Sequence, residues 1–92
     1  MEGAPPVDAG KQGKHVQGHQ NYREGSSTWQ NGNGVHDTQE AWQKGTELPD
    51  GTRVWDAGKT TGTNGETGVR VHIDSRGNIH GYPVDPGRYL GE

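Results

Sequence analysis

Twelve residues, Lys11-Gln-Gly-Lys-His-Val-Gln-Gly-His-Gln-Asn-Tyr22, gather two imidazoles, two ammonium groups, four amides and a phenol with almost nothing apolar among them. His72 and His80 recur near the other end of the chain. Histidine exchanges its proton near neutral pH, so paired imidazoles suit acid/base chemistry without a cofactor. The density of such groups, with no core to justify them, marks the front segment as a candidate site.

Several other chemistries are weaker fits. His15 and His19 have the four-residue spacing of a helical zinc pair, but Val16 stands where a zincin has its water-activating Glu. Gly18 also disfavours a helix there, and with no cysteine a metal would have to recruit His72, His80 or carboxylates. Gly32-Asn-Gly34 and Gly62-Thr-Asn-Gly65 carry no Walker lysine and read as loops. Ser26 and Ser27 lack the Gly-x-Ser-x-Gly frame of a hydrolase nucleophile. The three Trp read as core filler rather than a base-stacking platform.

The elements that must position these groups come from a lean composition. Ninety-two residues make one small domain, and only 24% are hydrophobic, with no Phe. Valine, tryptophan and tyrosine must supply most of the buried area, so core stability is expected to be a few kcal/mol. The many glycines and low hydrophobicity would suit disorder, but the modest net charge of −3 and the patterned Val and Trp residues favour a fold. No disulfide framework is possible without Cys. No apolar run is long enough to span a bilayer, and the opening residues do not read as a signal peptide. The mild acidity argues against indiscriminate DNA binding. Lys11, Lys14 and Arg23, with Arg70 and Arg76, nonetheless leave room for a local basic surface.

Along the chain, residues 1–9 read as a flexible linker and 10–92 as the working domain. Residues 10–28 read as a glycine-punctuated loop with a short helical turn. Asp37–Gly45 carries the best helix signal: Asp37 as cap, Glu40 three residues on as in a capping box, and Gly45 as a left-handed stop. Ala41 and Trp42 are expected to face the core. Leu48-Pro-Asp-Gly-Thr52 reads as a turn, 53–57 as a strand and 59–68 as a turn or loop. Val69, Val71 and Ile73 alternate with Arg70, His72 and Asp74, the period of a half-buried strand. Residues 78–84 follow after Ser75-Arg76-Gly77. With Gly77 in the left-handed position of a three-residue hairpin loop, Asp74 opposes Asn78 and His72 opposes His80. Both imidazoles then share one face, while Val71, Ile73 and Ile79 are expected to turn inward. Opposed beside Arg70, Ser75 and Arg76, they read as functional rather than as a solvated strand face.

The run Lys11-Gln-Gly-Lys-His-Val-Gln-Gly-His-Gln-Asn-Tyr-Arg-Glu-Gly-Ser-Ser27 resembles the opening signature of the bacterial toxin 50 family, C-terminal domains of polymorphic toxins. The stretch Val71-His-Ile-Asp-Ser-Arg-Gly-Asn-Ile-His80 is similar to that family's closing strand pair. Matching positions are Lys14, His15, Gly18, His19, Asn21, Tyr22, His72, Ser75 and His80. Gln20 replaces the usual Asn and Ser26 a basic residue. The resemblance covers roughly residues 10–28 and 68–84. It implies a small α+β ribonuclease of the barnase/EndoU/colicin/RelE-like (BECR) group. Such a domain is carried on a larger secreted or surface-delivered protein, acts in the target-cell cytoplasm and is neutralised by an immunity partner.

The chemistry suits the residues. RNA carries its own nucleophile in the 2′-OH, so the protein needs only a base, an acid and charge stabilisation for the phosphorane. The expected catalytic residues are His15, His19, Lys14, His72, His80 and Ser75. The expected substrate contacts are Lys11, Asn21, Tyr22, Arg70, Arg76 and Tyr82. No metal or cofactor is required, no membrane contact is expected of the isolated domain, and the free domain is expected to be a monomer acting on RNA, with transfer RNA favoured. Two other classes stay open: a zinc-dependent hydrolase or DNase using His15, His19 and a hairpin histidine, and a non-catalytic histidine-rich binding module.

Overall fold

The computed structural model describes residues 3–91. The chain is an α+β domain: a four-stranded antiparallel sheet in the order β1-β2-β3-β4, with one longer helix across one face. The strands are β1 (Thr46–Glu47), β2 (Arg53–Asp56), β3 (Gly68–Ile73) and β4 (Ile79–Val84). The helices are α1 (Ala9–Gln12), continued by a 3-10 turn (Gly13–His15), then α2 (Val35–Lys44) and α3 (Gly87–Leu90). No described helix is long and apolar enough to cross a membrane.

The closing hairpin has the expected register. His72 opposes His80, Arg70 opposes Tyr82 and Ile73 opposes Ile79. Gly77 is left-handed (φ 83°), and the Asp74 amide donates to Asn78 O at 2.9 Å. The Asp74 side chain accepts from the Arg76 and Asn78 amides and so braces the turn. Strand alternation then divides the sheet. Val69, Val71, Ile79 and Gly81 turn towards α2, while Arg70, His72, His80 and Tyr82 occupy the opposite face. Val69, Val71, Ile79, Ala41 and Trp29 form the buried core, with Trp42 and Trp55 packed against it. Ile73 departs from its expected inward burial and is 42% exposed. The reason is geometric: β2 pairs with β3 only as far as Val71, so Ile73 projects at a corner of the sheet.

α2 also differs from its expected ends. It starts at Val35, two residues before Asp37, after a left-handed Gly34 (φ 69°), and the Val35 amide donates to Asn33 Oδ1. Close packing forces the glycine, since a Cβ at position 34 would lie 2.0 Å from the Trp29 ring. Asp37 and Glu40 therefore form no capping box; Asp37 pairs with Lys59, and Glu40 with His36 and Lys44. Gly45 is extended rather than left-handed, and is glycine because a Cβ would meet Ala41 O at 2.4 Å.

The segment read as a linker is joined to the sheet. Pro6 O accepts from the Ile79 amide and Ile79 O from the Asp8 amide, so Val7 bridges the outer edge of β4. Asp8 also caps α1 by accepting from the Lys11 amide. The Val7 bridge gives partners to part of an otherwise open edge strand. Gly81 N donates to the side chain of Gln12, Gly81 O accepts from the Trp29 indole, and Pro83 has no amide hydrogen to satisfy. The remaining additions to the expected elements are β1, and α3 after the hairpin.

Candidate active site on the open face of the hairpin

Gln12 places the front loop. Its side chain is buried, donating to Asn33 O (2.9 Å) and Thr38 Oγ1 (3.0 Å) and accepting from Gly81 N (2.8 Å). One amide thus ties α1 to the N-terminal part of α2 and to the edge of β4. Gly81 is required there, because a Cβ would approach Thr38 Oγ1 to 2.6 Å. From this clasp the 3-10 turn carries the chain round the edge of β4, and His15 arrives over the open face of the sheet.

His15 is fixed twice. Its carbonyl accepts from the Trp29 amide at 2.9 Å, and its ring Nδ1 lies 2.8 Å from Ser27 O. A carbonyl oxygen can only accept, so Nδ1 carries the hydrogen, and in the neutral ring Nε2 holds the lone pair. The ring stacks on Tyr82, centroids 4.8 Å apart and planes at 22°. The Tyr82 hydroxyl shares a 2.9 Å hydrogen bond with His72 Nε2, and His72 stacks on His80 at 5.1 Å. Three imidazoles and a phenol from both ends of the sequence therefore form one continuous cluster.

Cations surround it. Arg70 opposes Tyr82 on β3 and is held by Asp50 (2.6 Å), by the Thr52 hydroxyl and by the Tyr89 ring beneath its guanidinium. Lys11 pairs with Asp74 at 3.4 Å. Burial, then His72, then Lys11 and the remaining nearby cations press the His80 pKa down to about 4. His72 is lowered by burial and then by Arg70. His15 is lowered by burial, against the opposing effect of its Ser27 hydrogen bond. Burial raises Tyr82, so its phenol stays protonated. At neutral pH the free cluster is uncharged, and the cations of its rim are Lys14, Arg70 paired to Asp50, and Lys11 paired to Asp74. Such a site offers proton acceptors beside cations that can turn to a bound anion.

The other expected residues sit elsewhere. His19 accepts from the Asn21 amide and lines a small cavity with Gly13, Val16 and Val35, and it makes no described contact with the hairpin cluster. The Asn21 side chain donates to Gly10 O, and the Tyr22 hydroxyl meets Thr28 Oγ1 at 3.3 Å, so both brace the front loop. Ser75 and Arg76 are exposed at the hairpin tip, lining a polar cleft with Lys11, Asp74 and Asn78. Lys14 contributes positive potential at His15 and His80. Sequence reading missed Gln12, Ser27, Asp50 and Tyr89 as supports of the site. Gln12 and Ser27 stand inside the Lys11–Ser27 run and Asp50 in the Leu48–Thr52 turn, whose Gly51 amide donates to Leu48 O, but nothing in those motifs signals the supporting role; Tyr89 lies in no motif.

Among the described residues, the donors close enough together to share one metal ion are His36, Asp37 and Glu40 on α2, so the histidines expected of a zinc site do not form such a group. No family model matches the chain, and no curated protein matches it either.

Proposed function

We propose that this domain is a metal-independent endoribonuclease that cleaves through attack of the 2′-OH, leaving a 2′,3′-cyclic phosphate and a 5′-hydroxyl. What carries the reading is the stacking of His15 on Tyr82 beside the His72–His80 pair. Groups able to take and give protons stand on either side of Tyr82, on one face of the sheet.

In this reading His15 is the base. The Ser27 carbonyl orients the ring so that Nε2 takes the 2′-OH proton as the oxygen attacks phosphorus. The His72–His80 pair supplies the acid. Its protonated form is suppressed in the free protein by burial and by neighbouring cations. A bound phosphodiester offsets those cations and raises the pair's proton affinity. One proton then passes to the 5′-oxygen as the P–O5′ bond breaks, and the stacked rings act as a coupled unit rather than as two independent acids. Lys11, Lys14 and Arg70 neutralise the phosphorane, and the Tyr82 hydroxyl positions His72. His19, Asn21 and Tyr22 hold the loop rather than touch substrate.

The residues matching the toxin 50 signature support a wider setting: a toxin domain delivered on a larger protein, acting on transfer RNA in the target cell and blocked by an immunity protein. Carboxylates of that inhibitor would meet the cationic rim, with charge complementarity speeding encounter. The test is incubation with RNA in the presence of EDTA, comparing the parent with H15A and H80A. Cleavage to cyclic-phosphate ends, lost in both variants, is the expected result; unimpaired cleavage by both folded variants refutes the reading.

A further inference from the structure

A cavity of about 260 Å³ adjoins the histidine cluster, lined by Ser27, Glu66, Tyr82, Asp85, Arg88 and Tyr89. None of these except Tyr82 was singled out as a functional residue from the sequence. Two of its walls belong to the cluster itself: the Tyr82 ring stacks on His15, and the Ser27 carbonyl holds the His15 ring. A group seated here lies against Tyr82 and Ser27, the two residues that hold the His15 ring. The volume is sufficient for one nucleobase.

We propose that this cavity is a base-recognition subsite selective for guanine, a deepening that rests on the ribonuclease reading of the adjoining cluster. Unpaired bases are read by stacking on aromatic rings and by hydrogen bonds to their edges, and Tyr82 and Tyr89 provide the rings. Glu66 and Asp85 each use one carboxylate oxygen on a backbone amide, that of Asn64 and that of Gly87 respectively. The second oxygen of each keeps its acceptor capacity. Ionised carboxylates only accept, so they select a base edge made of donors. Guanine presents N1–H and N2–H₂ side by side. Adenine and cytosine each place a ring-nitrogen acceptor next to their amino group, and uracil flanks its N3–H with two carbonyls. Arg88 supplies donors suited to the O6 and N7 acceptors of guanine.

The test uses the whole domain and the four nucleoside 3′-monophosphates in titration calorimetry, with E66Q and the double variant E66Q/D85N. Both substitutions keep the oxygen that accepts from the backbone amide, and melting curves verify folding. The guanine nucleotide is expected to bind roughly tenfold or more tightly than the uracil nucleotide, with the margin shrinking in E66Q and vanishing in the double variant. Sequenced RNA ends should carry guanine on one side of the break. Equal affinities, no binding, or selectivity that survives both substitutions overturns the proposal. RNA cleavage without base preference would remove this subsite and leave the ribonuclease reading standing. Selective guanylate binding without RNA cleavage would do the reverse.

Discussion

Gln12→Leu removes a buried clasp while preserving most of its volume. The Gln12 amide satisfies Gly81 N at the edge of β4 and bonds Thr38 Oγ1 and Asn33 O beside α2. Leucine leaves the Gly81 amide without a partner in a water-excluded position, at about 1–3 kcal/mol. Loss of the bond to Thr38 adds about 1 kcal/mol, and the Asn33 carbonyl, on an exposed residue, regains water. The total is about 2–4 kcal/mol, a large share of what a core this small supplies. For a domain of this length each kcal/mol moves Tm by about 4–8 °C, so a fall of roughly 8–32 °C is expected by circular dichroism. Thr38→Val breaks a single link of the clasp and should cost about 1 kcal/mol. Because Gln12 lies three residues before His15, catalysis in Q12L should also fall below the folded fraction at low temperature. A Q12L melting curve within about 2 °C of the parent would refute the reasoning, since even one unpaired buried amide predicts a larger shift.

Four other outcomes follow from the same geometry. His15, His72 and His80 all titrate below 6.5 in the folded protein, so between about pH 4 and 6.5 the unfolded chain binds more protons and stability rises with pH, falling again on acidification. The His80 shift from 6.5 to about 4 corresponds nominally to about 3 kcal/mol, reduced to about 1–2 kcal/mol because the ring is half-exposed and solvent screens it; urea titrations at pH 7 and pH 4.5 measure this. H15A should lower the rate of RNA cleavage by about 10²–10⁴ with the melting temperature little changed, as read in single-turnover assays. The acid limb of the kcat/KM profile should fall below pH 6.5, following the lowered His15, and a midpoint above 7 contradicts His15 as the base. Gly81→Ala should destabilise by about 1–3 kcal/mol in urea unfolding, because its methyl group meets Thr38 Oγ1.

The hairpin was legible because its signals are local. Alternation of Val69, Val71 and Ile73 sets the faces, and one left-handed glycine at position 77 fixes the register that opposes His72 and His80. The limits of α2 were less legible, since a ring contact between Trp29 and Gly34 decides where the helix starts and leaves Asp37 inside it. Nothing in the spacing of His15 and His19 distinguishes the two. Long-range packing through Gln12, Trp29 and Ser27 brings one to the hairpin and engages the other within its own loop. Burial of Gln12 was invisible for the same reason: a glutamine in a polar, glycine-rich run reads as solvated until its partners 21, 26 and 69 residues away are known. The pairing of Val7 with Ile79 was hidden because an apparent linker gained its partner only once β4 presented an open edge.

The central claim is that His15 and the His72–His80 pair work on one phosphate. It is tested most directly with a short RNA bearing a single 2′-deoxy substitution at a mapped cleavage position, incubated with the domain in EDTA. The expected result is rapid cleavage of the all-ribose strand to a 2′,3′-cyclic phosphate end, none at the substituted position, and loss of cleavage in H15A and in H72A/H80A alike. Cleavage of the deoxy-substituted strand at that position, or full activity in either folded variant, would contradict it.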